Sequence, residues 1–149
     1  MIEDICTALA DIGRMATGIR TAFDPPPPNL ESGALPALYV FTGSGIPDDK
    51  LPGSALLQMT RTLRVQVAVL PTGMGDPKTR ETQCRPLLDA LYAAIWAHPR
   101  LNKLARVRSA RVTSDSGIVL LPEWGMRFIG FEVRVEVITI EPRTIAKGE

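Results

Sequence analysis

From Arg127 to Ile140 the chain alternates. Ile129, Phe131, Val133, Val135 and Val137 fall on one side of the alternation, and Glu132, Arg134 and Glu136 fall on the other. A period of two marks an extended strand whose two faces meet different surroundings. At about 3.4 Å per residue this strand spans roughly 40 Å. It constrains the fold strongly, because its backbone groups need partners and its valine-rich face needs a cover. Thr62 to Val69 offers a partner of the same kind: Leu63, Val65, Val67 and Val69 share one face, while Thr62, Arg64 and Gln66 share the other. The valine faces make the core. The polar faces bring together Arg64, Gln66, Glu132, Arg134 and Glu136, whose opposite charges pair across neighbouring strands at about 0.2–1 kcal/mol each.

Helices supply the cover. Ile2, Ile5, Leu9, Ile12, Ala16 and Ile19 recur at steps of three and four and predict an amphipathic helix over 2–20. Asp24 and the run Pro25–Pro28 end it and open a stiff connector over 24–34, because proline lacks a donor and restricts its predecessor. Asp76-Pro77 reads as an N-cap followed by proline in the first helical position. The helix beyond it carries Cys84, Leu87, Leu88, Leu91, Tyr92 and Ile95 on one side and closes at His98-Pro99. Pro86, at about 3 kcal/mol inside a helix, predicts either a kink or a regular stretch that starts near Arg85.

Between these elements, Leu38 to Phe41 reads as a strand ending at Thr42-Gly43. Residues 43–59, with Gly43, Gly45, Pro47, Pro52 and Gly53, read as a long working loop. Val107, Ala110 and Val112 mark a further strand, and Ile118 to Leu121 a short apolar run. The sum is a single α+β domain over 1–149: a mainly antiparallel sheet of four to five strands with two helices packed on one face.

Composition narrows the function. Seventeen basic and sixteen acidic residues leave a net charge of +1, without the surplus that phosphate neutralisation leaves in nucleic-acid binders. The basic cluster Arg100, Lys103, Arg106, Arg108 and Arg111 reads as a solvated turn and strand face. No apolar stretch has the length of a membrane span, and Met1-Ile2-Glu3-Asp4 lacks the basic start of a signal peptide, so a cytoplasmic protein is expected. Cys6 and Cys84 read as small buried hydrophobes rather than a disulfide.

The residues of catalysis do not gather. One histidine and two distant cysteines cannot complete a zinc site, and no Gly-x-Ser-x-Gly elbow presents a serine to His98, which reads as a helix-end cap or surface residue. Gly73-Met74-Gly75-Asp76 lacks the lysine of a phosphate loop and the third glycine of a dinucleotide fingerprint. Asp48, Asp49, Asp76, Asp115 and Glu123 read as loop residues, with no catalytic pairing implied. The expectation is a protein with no catalytic, cofactor or metal site.

What remains is architecture. Val133 to Ile140 looks longer than its partner strand, which would leave backbone groups for a strand from another copy. Exposed loops over 43–59 and 113–126 would then meet a second partner through Ile46, Asp48, Asp49, Lys50, Trp124 and Met126; Trp124 reads equally well as a core anchor.

Certain motifs go further. Leu35-Pro36-Ala37-Leu38-Tyr39-Val40, the Arg61 to Val69 strand, the Gly75-Asp76 turn, Leu87-Leu88-Asp89-Ala90-Leu91, His98-Pro99-Arg100-Leu101 and the Gly-x-Glu-x-x-Val-Glu-Val strand from Gly130 to Val137 follow one another in order. Together they resemble the tail terminator family of long-tailed bacteriophages, prophages and gene transfer particles. The resemblance implies a hexameric ring that caps the tail tube, stops its polymerisation and presents a surface to the head-closure or connector protein. It implies no reaction, and a place at the neck of the virion after assembly in the host cytoplasm. A head-closure or neck protein, and a small α+β ligand-binding or regulatory domain, are the alternatives.

Overall fold

A computed structural model describes residues 1–48 and 56–142. Helix α1 (Ile2–Arg14) leads through β1 (Thr21–Phe23) to β2 (Ala37–Asp48) and β3 (Leu56–Pro71). Helix α2 (Pro77–Trp96), β4 (Val107–Asp115), β5 (Val119–Leu120) and β6 (Phe128–Pro142) follow. The strands form a six-stranded sheet in the order β1-β2-β3-β6-β4, with β5 paired to β6. Its β1–β2 pair is parallel and its other pairs are antiparallel, so the sheet is mixed and one strand larger than the sequence reading.

Both helices pack on the valine face. Ile5, Leu9 and Ile12 of α1 and Cys84, Leu87, Leu91 and Ile95 of α2 join Val65, Val67, Val133 and Val135 in the main core. Helix α1 ends at Arg14, earlier than its apolar stripe, and Gly18 at φ +96° turns the chain into β1. Helix α2 starts as expected: the Asp76 carboxylate accepts hydrogen bonds from the Thr79 N–H at 2.9 Å and its hydroxyl at 2.8 Å, with Pro77 next to the cap. Pro86 lies within α2 on its solvent side, so the hydrogen bond it cannot make faces water and the helix runs through.

The long terminal strand is not an edge. β6 pairs with β3 from Phe128 opposite Pro71 to Pro142 opposite Leu56, and its other side pairs with β5 and β4. The spare backbone groups expected at Val133 to Ile140 are therefore filled within the chain. The shortfall of β3 was an illusion of burial. Leu57 to Thr62 are half-buried on both faces, so no alternation marks them, although they are strand.

The long loop is largely strand as well. Residues 43–48 belong to β2 and 56–59 to β3, so Ile46 and Asp48 stand on a strand. Asp49 and Lys50 lie outside the described residues. Gly43 sits in a register shift between Thr42 and Gly45, where a Cβ would strike the Thr62 carbonyl. A glycine read as loop is there so that two strands can approach.

Candidate functional site

The five polar-face residues come together, but mostly with one another. Arg64 stands directly opposite Arg134, a like-charge pair that would be unfavourable alone. Glu132 resolves it: its Oε1 lies 2.8 Å from Arg64 and its Oε2 3.6 Å from Arg134. Arg64 also reaches Glu123 at 3.1 Å and lies 5.0 Å over the Phe41 ring. Gln66, 2% exposed, donates to Glu132 at 3.0 Å while its own Oε1 has no partner. Farther along, Arg111 pairs with Glu136 at 3.2 Å. Burial would raise the Glu123 carboxyl, but backbone, Gln66 and Arg64 hydrogen bonds hold it below the ordinary glutamate value. Glu123 is thus a paired residue, not a lone loop carboxylate. Arg134 is the one of the five whose side chain is more than half exposed, at 58%.

The reason is a second small core that covers one end of this face. Leu30, Leu35, Tyr39, Leu121, Trp124 and Phe128 pack together there, away from the helices. The Trp124 indole N–H donates to the Tyr39 hydroxyl at 2.6 Å, with the rings edge-on at 5.2 Å. Burial pushes the Tyr39 phenol well above its usual value. Trp124, 8% exposed, packs as a core anchor, the second of the two readings its sequence allowed. Much of 113–126 follows suit: Thr113 to Asp115 end β4, β5 pairs with β6, and Pro122–Trp124 is a 3-10 turn over this core. Met126 remains exposed, as do Ile46 and Leu56 at the other end of the sheet.

That other end is held by charge. Arg61 grips Glu141 with two hydrogen bonds, at 3.0 and 2.9 Å, and the Thr139 hydroxyl donates to the same carboxylate at 2.7 Å. Burial would raise Glu141, yet these bonds hold it below the ordinary value.

The sheet has two edges, and they differ. At β4 the Ala110 N–H donates to the Pro99 carbonyl at 2.7 Å, so the loop after α2 guards that edge. At β2 the guard is β1, which pairs with Ala37 to Tyr39. In this register the Pro36 carbonyl accepts from the Thr21 N–H, and the Val40 carbonyl would next require an N–H from Pro25, which has none. Beyond Tyr39, no strand among the described residues lies on the outer side of β2. The one-residue shift then turns Pro47 nitrogen outward, where proline costs the ladder nothing. Along this open stretch runs a groove of about 740 Å³ between the first turns of α1 and the Asp24–Pro26 connector, with Val40 to Thr42 on its wall. No sequence signal marked it, because β1 is three residues long and its pairing is non-local.

The remaining candidates behave as small structural parts. Cys6 and Cys84 are buried and free, and burial pushes the Cys84 thiol up to about 11. His98 Nδ1 lies 2.8 Å from the Ala94 carbonyl, a helix-end bond in which the ring must donate. Asp115 ends β4 and accepts from Tyr92 at 2.7 Å. Among the described residues no three His, Cys, Asp or Glu side chains gather to hold a metal, and no helix is long and apolar enough to cross a membrane. The sequence matches no protein-family model and no curated protein.

Proposed function

We propose that this chain is a structural protein of long-tailed phage or prophage assembly, a tail terminator that works without catalysis. In this reading its copies close into a hexameric ring, cap the tail tube and stop its growth. The opposite surface of the ring receives the head-closure protein, at the neck of a particle assembled in the host cytoplasm. The ordered motifs from Leu35 to Val137 support the family. The observation that carries self-assembly is the outer edge of β2 at Val40 to Thr42, where no strand pairs among the described residues, a strand edge of the kind that accepts another chain. The assembly surface accordingly moves to β2, since β6 is paired on both sides.

Native mass measurement of the purified chain, with negative-stain imaging beside purified tail tubes, tests this. Rings that seat on tube ends are expected. A chain that stays monomeric at high concentration and ignores the tube would end the proposal.

A further inference from the structure

The two edges of the sheet carry opposite charge. Along the open edge of β2, the groove is bordered by Glu3, Asp4 and Asp24, with Ile2, Pro25 and Val40 as apolar wall. At the far edge, Arg100, Lys103, Arg106 and Arg108 lie on and just before β4, all exposed. None of these four has a carboxylate within 4.0 Å among the described residues; Arg108 instead meets the Gln58 amide at 3.2 Å. On the last turn of α2, four residues before Arg100 in the chain, Trp96 is 66% exposed, its ring edge-on to Tyr92 at 5.4 Å. Exposed aromatic and arginine side chains are the residue types enriched at protein interfaces.

From this we infer that the β2 groove of one copy receives the β4 side of a second copy through the loop that covers that edge, with the basic cluster and Trp96 on that side facing the acidic, apolar groove. The inference rests on the self-assembly reading and says which surfaces make it. Each molecule has one donor edge and one acceptor edge, so the contact is head-to-tail. Head-to-tail contacts close into rings when the rotation allows. A partner copy fits a groove that opens where β1 stops, because the register next requires an N–H from Pro25, which has none. Opposite charge at the two edges steers their encounter and disfavours edge-to-edge pairing of like surfaces.

The test is a charge swap read by sedimentation velocity and native mass. One variant carries Glu3→Lys and Asp4→Lys; the other carries Lys103→Glu and Arg106→Glu. Each alone should associate at least about tenfold more weakly than the parent, because like charges then meet. Mixed in equal amounts they should reassemble into alternating rings, since each junction again joins opposite charges. Circular dichroism checks that each variant is folded; should one fail, the parent's salt dependence decides. Association of the parent should weaken as salt rises from 0.05 to 0.5 M, roughly the range over which screening closes in to a few ångströms. Variants that still form rings, a mixture that does not recover, or rings indifferent to salt would overturn this interface while leaving self-assembly intact. A parent chain that is monomeric throughout would overturn both.

Discussion

The long strands β3 and β6 begin and end in different company. Where Val67 to Leu70 lies against Phe128 to Phe131, helices cover one face and the Tyr39–Trp124 core covers the other. Where Leu56 to Arg61 lies against Val137 to Pro142, no second core among the described residues closes over the sheet, and Ile46 and Leu56 stay exposed. The first end is a sandwich in which packing decides everything. The second, the arm, is held by backbone ladders, by the buried Val137 and Thr139 and by the Arg61–Glu141 pair. The two ends of the same strands are thus stabilised by different means, and substitutions should separate them.

The largest effect belongs to the sandwich. Trp124→Ala removes a buried ring and leaves the Tyr39 hydroxyl, on a residue that is 0% exposed, without its donor. A loss of about 3–5 kcal/mol is expected from the cavity and the orphaned hydroxyl together. Chemical denaturation measures it. Adding Tyr39→Phe to a Trp124→Phe chain should recover about 1 kcal/mol of coupling. Strict additivity would mean that the 2.6 Å bond contributes nothing.

Next comes Gly130, where the two strands touch most closely. A Cβ there would strike the Val67 carbonyl beside the register shift between Ala68 and Leu70. Gly130→Ala should cost about 1–3 kcal/mol, the usual range for overpacking a tight site. The same change at Gly33, where a Cβ meets nothing within 4 Å, is the control and should leave denaturation nearly unchanged. Equal losses at both positions would show that the carbonyl contact is not the cause, since backbone entropy alone favours alanine.

The sequence made the first of these regions partly legible; of the second it showed β6 but not the stretches of β2 and β3 beside it. Val65, Val67, Val133 and Val135 declare themselves by alternation because one face is dry and the other carries charge. Asp76-Pro77 declares the start of α2 through local chemistry that needs no tertiary help. In the arm the β6 side keeps its alternation, with Val137 and Thr139 buried. Leu57 to Thr62 of β3, however, are half-buried on both faces, so strand and loop look alike there. Gly43 and Pro47 of β2 sit at a bulge and an outward-facing edge position. The second core was hidden for another reason. Leu30, Tyr39 and Trp124 are far apart in sequence, and only the fold brings them together. The polar-face residues were grouped correctly, but the same second core turns Gln66, Glu132 and Glu123 inward, toward each other and Arg64.

Acid should act on both ends. The carboxyls of Glu123, in the covered end, and Glu141, in the arm, lie below the ordinary glutamate value when folded. A depressed folded pKa contributes stability in full above the unfolded value, near about 4.3, and loses it as pH falls through the folded value. Melting temperature should therefore hold above that value and decline below it as far as these groups decide. Glu141→Gln should flatten only its share of the decline, and Glu123→Gln the other. Thermal melts at pH 3 to 7 check this. A double glutamine chain with the parent's acid slope would show that other carboxyls set it.

The smallest expected effect is the most telling for the comparison. Ile46, 65% exposed on the outer strand of the arm, buries too little surface for its side chain to matter in the isolated chain. Ile46→Thr keeps a β-branched residue on the strand and should change stability by no more than about 0.5 kcal/mol, as surface substitutions do. Chemical denaturation at a concentration too low for association isolates that term. The same substitution studied at assembling concentrations should shift the midpoint only if the arm is covered by a neighbour, because a partner that binds the folded state alone adds to its stability. A loss above about 1 kcal/mol in the dilute chain would mean that Ile46 is already packed within its own molecule. The arm would then be a second sandwich, and the division between the two ends would fail.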